Sequence, residues 1–335
     1  MSKTKLFIVA MLLSFSFAIF TTYVSNNLWS RFEHRDDSIR QQFAILAGQN
    51  YYLNDIIYYF PMFQNRVFFA SILKFFSLNK SLTVSKWFLL LRLFSAWAAF
   101  LVFFYLLHRV ARLNVKLSSL GLLFLAYELI FTFNHGYEHA TDFPDVMFIS
   151  LFIWMAMRKQ RVALFILSII AASNRESSAF AGVIWIFYHG LSDNYRIKIK
   201  ELLYGLFLSA SSYGTVMALR YGIGGAKVSY MQGIGGIDNI MLAVREFMHN
   251  PTNASPLVLF AAMVIPLFFW IYGNRASIKP LHIRLMLAAA VIEITSIQLA
   301  FFSELRTAIP FMVVMVFCAL LIEGESVYLR ERKQC

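Results

Sequence analysis

Five short clusters of ionisable side chains hold most of the chemistry this sequence offers. Glu33, His34, Arg35, Asp36 and Asp37 form "EHRDD", and Gln64, Asn65 and Arg66 open a later apolar run. His135, Glu138, His139, Asp142 and Asp145 lie in "NHGYEHATDFPD". The last two clusters are "NRES", with Arg175 and Glu176, and "SELR", with Glu304 and Arg306. Arginine supplies a planar, permanently charged fork that grips phosphate through paired hydrogen bonds. A carboxylate accepts a proton from an attacking hydroxyl, or holds a divalent cation that assists electrostatically. A hydroxyl displacing phosphate from a sugar carbon needs both services. Quieter readings stand beside this one. Asp36 and Asp37 also suit a solvated loop, the Arg–Glu neighbours also suit structural ion pairs, and the histidines suit interfacial hydrogen bonding.

The elements that must position these residues are apolar helices. Of 335 residues, 59% are hydrophobic and only 14% are charged, against about 25% charged in a soluble domain. Apolar runs near the ~20-residue length of a bilayer crossing recur along the chain. They predict an all-α, polytopic transmembrane bundle of about ten spans, near 6–24, 87–107, 117–133, 144–157, 161–174, 178–190, 201–219, 256–273, 285–302 and 307–322. The N-terminal run follows a short basic flank, is long for a signal-peptide core and has no A-x-A site after it, so it reads as an uncleaved first span.

Loop charges orient these spans. With the N-terminus inside, the inner segments carry 17 basic residues, among them Arg158, Lys159, Arg161, Arg196, Lys198 and Lys200, against five acidic ones. The short outer loops carry two, Arg175 and Arg306. This is the positive-inside pattern, with both termini cytoplasmic in an inner (plasma) membrane. It also bears on "NRES". Were 161–190 one interrupted span, "RKQR" and "RIKIK" would fall on opposite faces. A hairpin with "NRES" at its outer tip keeps both inside, and its short arms sink that tip below the membrane surface. The clusters then gather on one face, as a site for an anionic ligand presented from the lipid.

Two outer loops are long. Residues 25–86 contain two amphipathic stretches, 39–47 and 66–77, suited to lying in the interface. Residues 220–255 are glycine-rich, and "GIGGAK" there fails the P-loop pattern. The chain is read as one integral membrane domain, 1–335. The net charge of +12 belongs to the loops, with no nucleic-acid motif to match it. Cys318 lies inside an apolar run and Cys335 is terminal, so neither suits a disulfide, a metal site or prenylation. Arg92, Glu128 and Glu293 fall within spans, where a charge must face a partner or cavity.

A first span, an outer loop opening on an acidic pair, interfacial helices and many short spans resemble the GT-C class of integral-membrane glycosyltransferases. More narrowly, "DFPDVMFISLFIWMAMRKQ…AASNRESSAF" and "SELR" resemble a pattern of bacterial proteins of that type. The resemblance implies transfer of a sugar from a polyprenyl-phosphate donor to a glycan or lipid acceptor at the periplasmic or exterior face. It makes Asp36 or Asp37 the base or metal-associated group, and Arg175 and Arg306 the donor-phosphate ligands. Glu176 and Glu304 would hold those arginines, with Glu138, His139, Asp142 and Arg66 in support. No cofactor is implied beyond an optional divalent cation. The chain departs from the class in lacking paired prolines before the second span and a large soluble C-terminal domain. Transport or flipping of a lipid-linked or anionic substrate is the other functional class the sequence fits, and O-antigen-type polymerisation or ligation is a third.

Overall fold

A computed structural model describes residues 3–30, 51–53, 56–58, 66–133, 142–224, 245, 248, 256–299 and 308–334. Among the described residues, eleven α-helices run in the order α1 (Lys3–Ser30), α2 (Val67–Ser77), α3 (Val84–Tyr105), α4 (Val115–Phe133), α5 (Asp142–Met157), α6 (Arg161–Ala172), α7 (Phe180–Trp185), α8 (Ile199–Gly224), α9 (Pro256–Gly273), α10 (Pro280–Leu299) and α11 (Ile309–Gln334). π-helical turns extend α3 over Leu106–Val110 and α7 over Ile186–Gly190. Among the described residues, a two-stranded antiparallel ribbon, β1 (Tyr51–Leu53) with β2 (Ile56–Tyr58), departs from an all-helical expectation.

Each of the ten apolar runs read from sequence contains a helix. Among the described residues, four are long and apolar enough to cross a membrane: Thr4–Tyr23, Val84–Val110, Ile199–Gly222 and Ile309–Leu329. The others are shorter or less apolar over their length, so the fold is a helical bundle that includes helices long and apolar enough to cross a membrane. The extra residues of α1, α8 and α11 reach beyond the expected spans into segments read as loop.

The helices sort by how uniformly apolar they are. Residues 309–322 of α11 are almost all buried, because α11 packs against α4, α5, α9 and α10. α5 is buried on most sides for the same reason, and a helix apolar all round belongs in such a centre. α1, α8 and α9 turn one apolar face inward and leave another exposed, including Phe7, Leu12, Phe207, Phe268 and Phe269. Bulky apolar side chains on the outside of a bundle suit lipid rather than water.

One packing contact matters most for the site. Gly182 of α7 and Gly205 of α8 bring two backbones together: a Cβ on Gly182 would collide with the Gly205 carbonyl oxygen and the Ser209 hydroxyl. Ser209 Oγ also donates to the Ala179 carbonyl at 2.7 Å. Small residues at a helix crossing permit this approach in lipid.

Candidate anion-handling site

Chain direction divides the polar residues between two ends of the bundle. α6 starts at Arg161, whose Nη2 donates to Glu201 at the start of α8 at 2.5 Å. The far end of α7 returns to the same place, where His189 Nε2 donates to the Ala156 carbonyl at 2.7 Å. α6 and α7 are therefore the arms of a hairpin, with "RKQR" and "RIKIK" at one end and "NRES" at the other. The interrupted single helix is excluded.

The tip breaks the helix at a definite point. Arg175 is extended, at φ −162° and ψ 158°, before a 3₁₀ turn over Glu176–Ala179. The two neighbouring charges then serve different partners. Arg175 Nη1 donates to Asp142 Oδ1 at 3.1 Å and to Asp145 Oδ2 at 3.4 Å, in the first turn of α5. Ser177 Oγ makes a short hydrogen bond to Asp145 Oδ1. Glu176 faces the other way. It accepts from Arg66 Nη2 at 3.3 Å, just before α2, and from Arg220 Nη2, near the end of α8. A backbone bond from Phe68 N to the Ser173 carbonyl, at 2.9 Å, ties α2 to the tip.

Three arginines and three carboxylates thus meet where α2, α5, the hairpin tip and α8 converge. Asp142 and Asp145 are 0% and 2% exposed, Arg175 is 6% and Arg220 is 1%. Ionised, the cluster is neutral, three charges against three. Buried charges persist only when paired and hydrogen-bonded, and each of the six has such a bond. The aspartates also occupy the positive end of the α5 dipole. Burial works to raise the Glu176 pKa, but the charges of Arg66 and Arg220 prevail and hold it below the usual glutamate value.

The expected residues fall into three groups. Arg66, Asp142, Arg175 and Glu176 come together, as read from sequence. The expectation that Glu176 holds Arg175 is corrected: Asp142 and Asp145 hold Arg175, because its extended backbone sends it towards α5 while Glu176 turns to the arginines. Asp36, Asp37, Glu138, His139, Glu304 and Arg306 lie outside the described residues. Asp145 and Ser177 fell within the expected clusters "NHGYEHATDFPD" and "NRES" but were given no role, and Arg220 was not among the expected residues. The signal for Arg220 was available, since it is an arginine closing the apolar run "SASSYGTVMALR".

Elsewhere, both Glu128 carboxylate oxygens are buried with no hydrogen bond among the described residues, and so is Oε2 of Glu293. No group of three or more metal-ligating side chains forms among the described residues. Arginines already occupy the cluster's carboxylates, and a dication would have to displace them. No family model matches the chain, and no curated protein or solved structure matches it either.

Proposed function

We propose that the chain is a GT-C-type glycosyltransferase of about ten membrane crossings that moves a sugar from a polyprenyl-phosphate donor to an acceptor at the outer face. The observation that supports this reading is the gathering of Arg66, Arg175 and Arg220 from three separate elements at the bundle end opposite the basic loops. Arginines held at one point by carboxylates stabilise a phosphate by exchanging those partners for it as its charge grows on breaking the bond to sugar. Asp142 and Asp145 fix the orientation of Arg175 in advance. Asp36 or Asp37 accepts the proton of the acceptor hydroxyl as its oxygen bonds to the sugar carbon. The sugar–phosphate C–O bond breaks, and polyprenyl phosphate leaves against Arg175 and Arg306.

The test is sugar transfer from a polyprenyl-phosphate donor by the purified protein in lipid. Asp36→Asn, Asp37→Asn and Arg306→Ala are compared with the unaltered chain. At least one aspartate variant and the arginine variant should lose about 10²-fold or more in rate, the usual weight of a general base or oxyanion-stabilising donor. Full activity in all three sinks the assignment.

Glu128 favours a second reading. A carboxylate buried in the bundle without a hydrogen bond is the kind of group that lines a substrate path through a transporter. In that case Glu128→Gln abolishes movement of a lipid-linked substrate between leaflets, and no sugar is transferred at all.

A further inference from the structure

The end of the bundle opposite the cluster carries a second charged surface of different character. Two loops build it, residues 158–161 between α5 and α6, and 191–198 between α7 and α8. Lys159, with φ of 55°, turns the chain from α5 into α6. The second loop is a small hairpin: Leu191 bridges Ile197, Lys198 N donates to the Gly190 carbonyl at 2.7 Å, and Tyr195 sits at the turn with φ of 56°. Glu201 joins the loops. It accepts from Arg161 and from the Trp185 indole at 3.1 Å, and Lys159 lies 3.9 Å from it. The Tyr204 hydroxyl donates to the Arg161 carbonyl at 2.6 Å. His189 Nε2 donates to the Ala156 carbonyl at 2.7 Å, so the end of α7 sits against the end of α5, and the two loops that follow start side by side.

Cations exceed carboxylates on this surface. Arg158, Arg196, Lys198 and Lys200 are exposed and make no ion pair among the described residues. Glu201 is committed to Arg161, and Asp193 to Arg284 at 3.0 Å. Exposed apolar side chains alternate with the cations: Tyr195, Ile197 and Ile199 along "YRIKIK", and Val162 beside Arg161. The position of this alternation is decisive. A helix long and apolar enough to cross a membrane begins at Ile199, so Arg196, Lys198 and Lys200 stand where hydrocarbon gives way to headgroups. Aliphatic side chains there enter the acyl boundary, and cations beside them meet phosphate.

We infer that residues 158–162 and 195–200 form a docking surface for the headgroups of anionic phospholipid in the adjoining leaflet. The partner is a bilayer rich in phosphatidylglycerol-type lipid, and the inference does not depend on glycosyl transfer. An acidic protein would satisfy the cations but not Ile197 and Ile199 at the start of a crossing helix.

The test uses the full-length protein in detergent, with phosphatidylglycerol or phosphatidylcholine titrated in and retained lipid counted by native mass spectrometry. The unaltered chain should prefer phosphatidylglycerol by roughly tenfold or more, given a worth near fivefold for each cation close to a charged surface. The quadruple variant Arg158→Gln, Arg196→Gln, Lys198→Gln, Lys200→Gln should bring the two lipids within about twofold on the same scale. Equal binding by the unaltered chain overturns the inference, and so does a preference that survives in the variant. Should the variant fail to fold, a preference unmoved by about 1 M salt, where screening acts within roughly 3 Å, overturns it on the unaltered chain alone.

Discussion

Arg175 shows how one residue can serve both fold and chemistry, and how the two are separated. Removing it leaves Asp142 and Asp145 buried without their cation, and breaking a buried pair this way costs about 3–5 kcal/mol. Arg175→Ala should therefore lower the thermal midpoint sharply in a detergent melt. Arg175→Met combined with Asp142→Asn and Asp145→Asn should recover most of that loss, since no charge is then stranded, while sugar transfer stays absent. Recovery of both would reduce the arginine to a structural tie. Glu176 adds a pH signature. Its folded pKa lies below its unfolded value because Arg66 and Arg220 outweigh burial. Its contribution to stability is thus fully present above the unfolded glutamate value of about 4.3 and is lost as pH falls through the lower folded value. Melting midpoints between neutral pH and about pH 3 should drop less steeply in Glu176→Gln than in the unaltered chain over this window.

At the scale of elements, the hairpin and α8 act as a lever that sets the cluster. α7 meets α8 through Gly182 and Gly205, and the far end of α8 delivers Arg220 to Glu176. Gly182→Ala forces the two backbones apart and should cost about 1–3 kcal/mol, the usual range for overpacking. Transfer should fall with it, whereas alanine at Gly214, where a Cβ meets nothing, should leave both unchanged. Thermal melts and transfer rates on the two variants decide the matter. A Gly182→Ala protein of normal stability and rate would show that α8 does not set the site. The helices were legible in sequence because an apolar run must shield its own backbone polar groups. The hairpin was legible because "RKQR" and "RIKIK" are too basic for opposite faces. The partners of each charge were not. Arg66 and Glu176 are 110 positions apart, Arg220 and Glu176 are 44 apart, and only helix packing brings them together.

At the scale of the whole molecule, the two ends differ in kind. One holds a buried, neutral set of six charges, and the other an exposed excess of cations. Single cysteines at Lys159, Arg196 and Lys279, in a Cys335→Ser background, should react with an impermeant thiol reagent only from the cytoplasmic side. A cysteine at Asn174 should be protected from that side, being completely buried at the other end. Labelling of Lys159 and Lys279 from opposite sides would overturn the proposed ten crossings. Asp36, Asp37 and Arg306 were nominated through resemblance. Their roles are tested by the transfer assay.

The opposed aim of Arg175 and Glu176 fixes the register of the tip. In extended chain, neighbouring side chains leave on opposite sides, so these two positions work as an alternating code read by two unlike walls. One wall, on α5, is acidic, and the other, from α2 and α8, is basic. Inserting a single residue ahead of Arg175 would offer the cation to Arg66 and Arg220 and the carboxylate to Asp142 and Asp145. Each ion pair of the tip would become a repulsion although neither charged residue had been replaced. A shift of one position therefore undoes together the pairs that a single substitution at the tip undoes one side at a time.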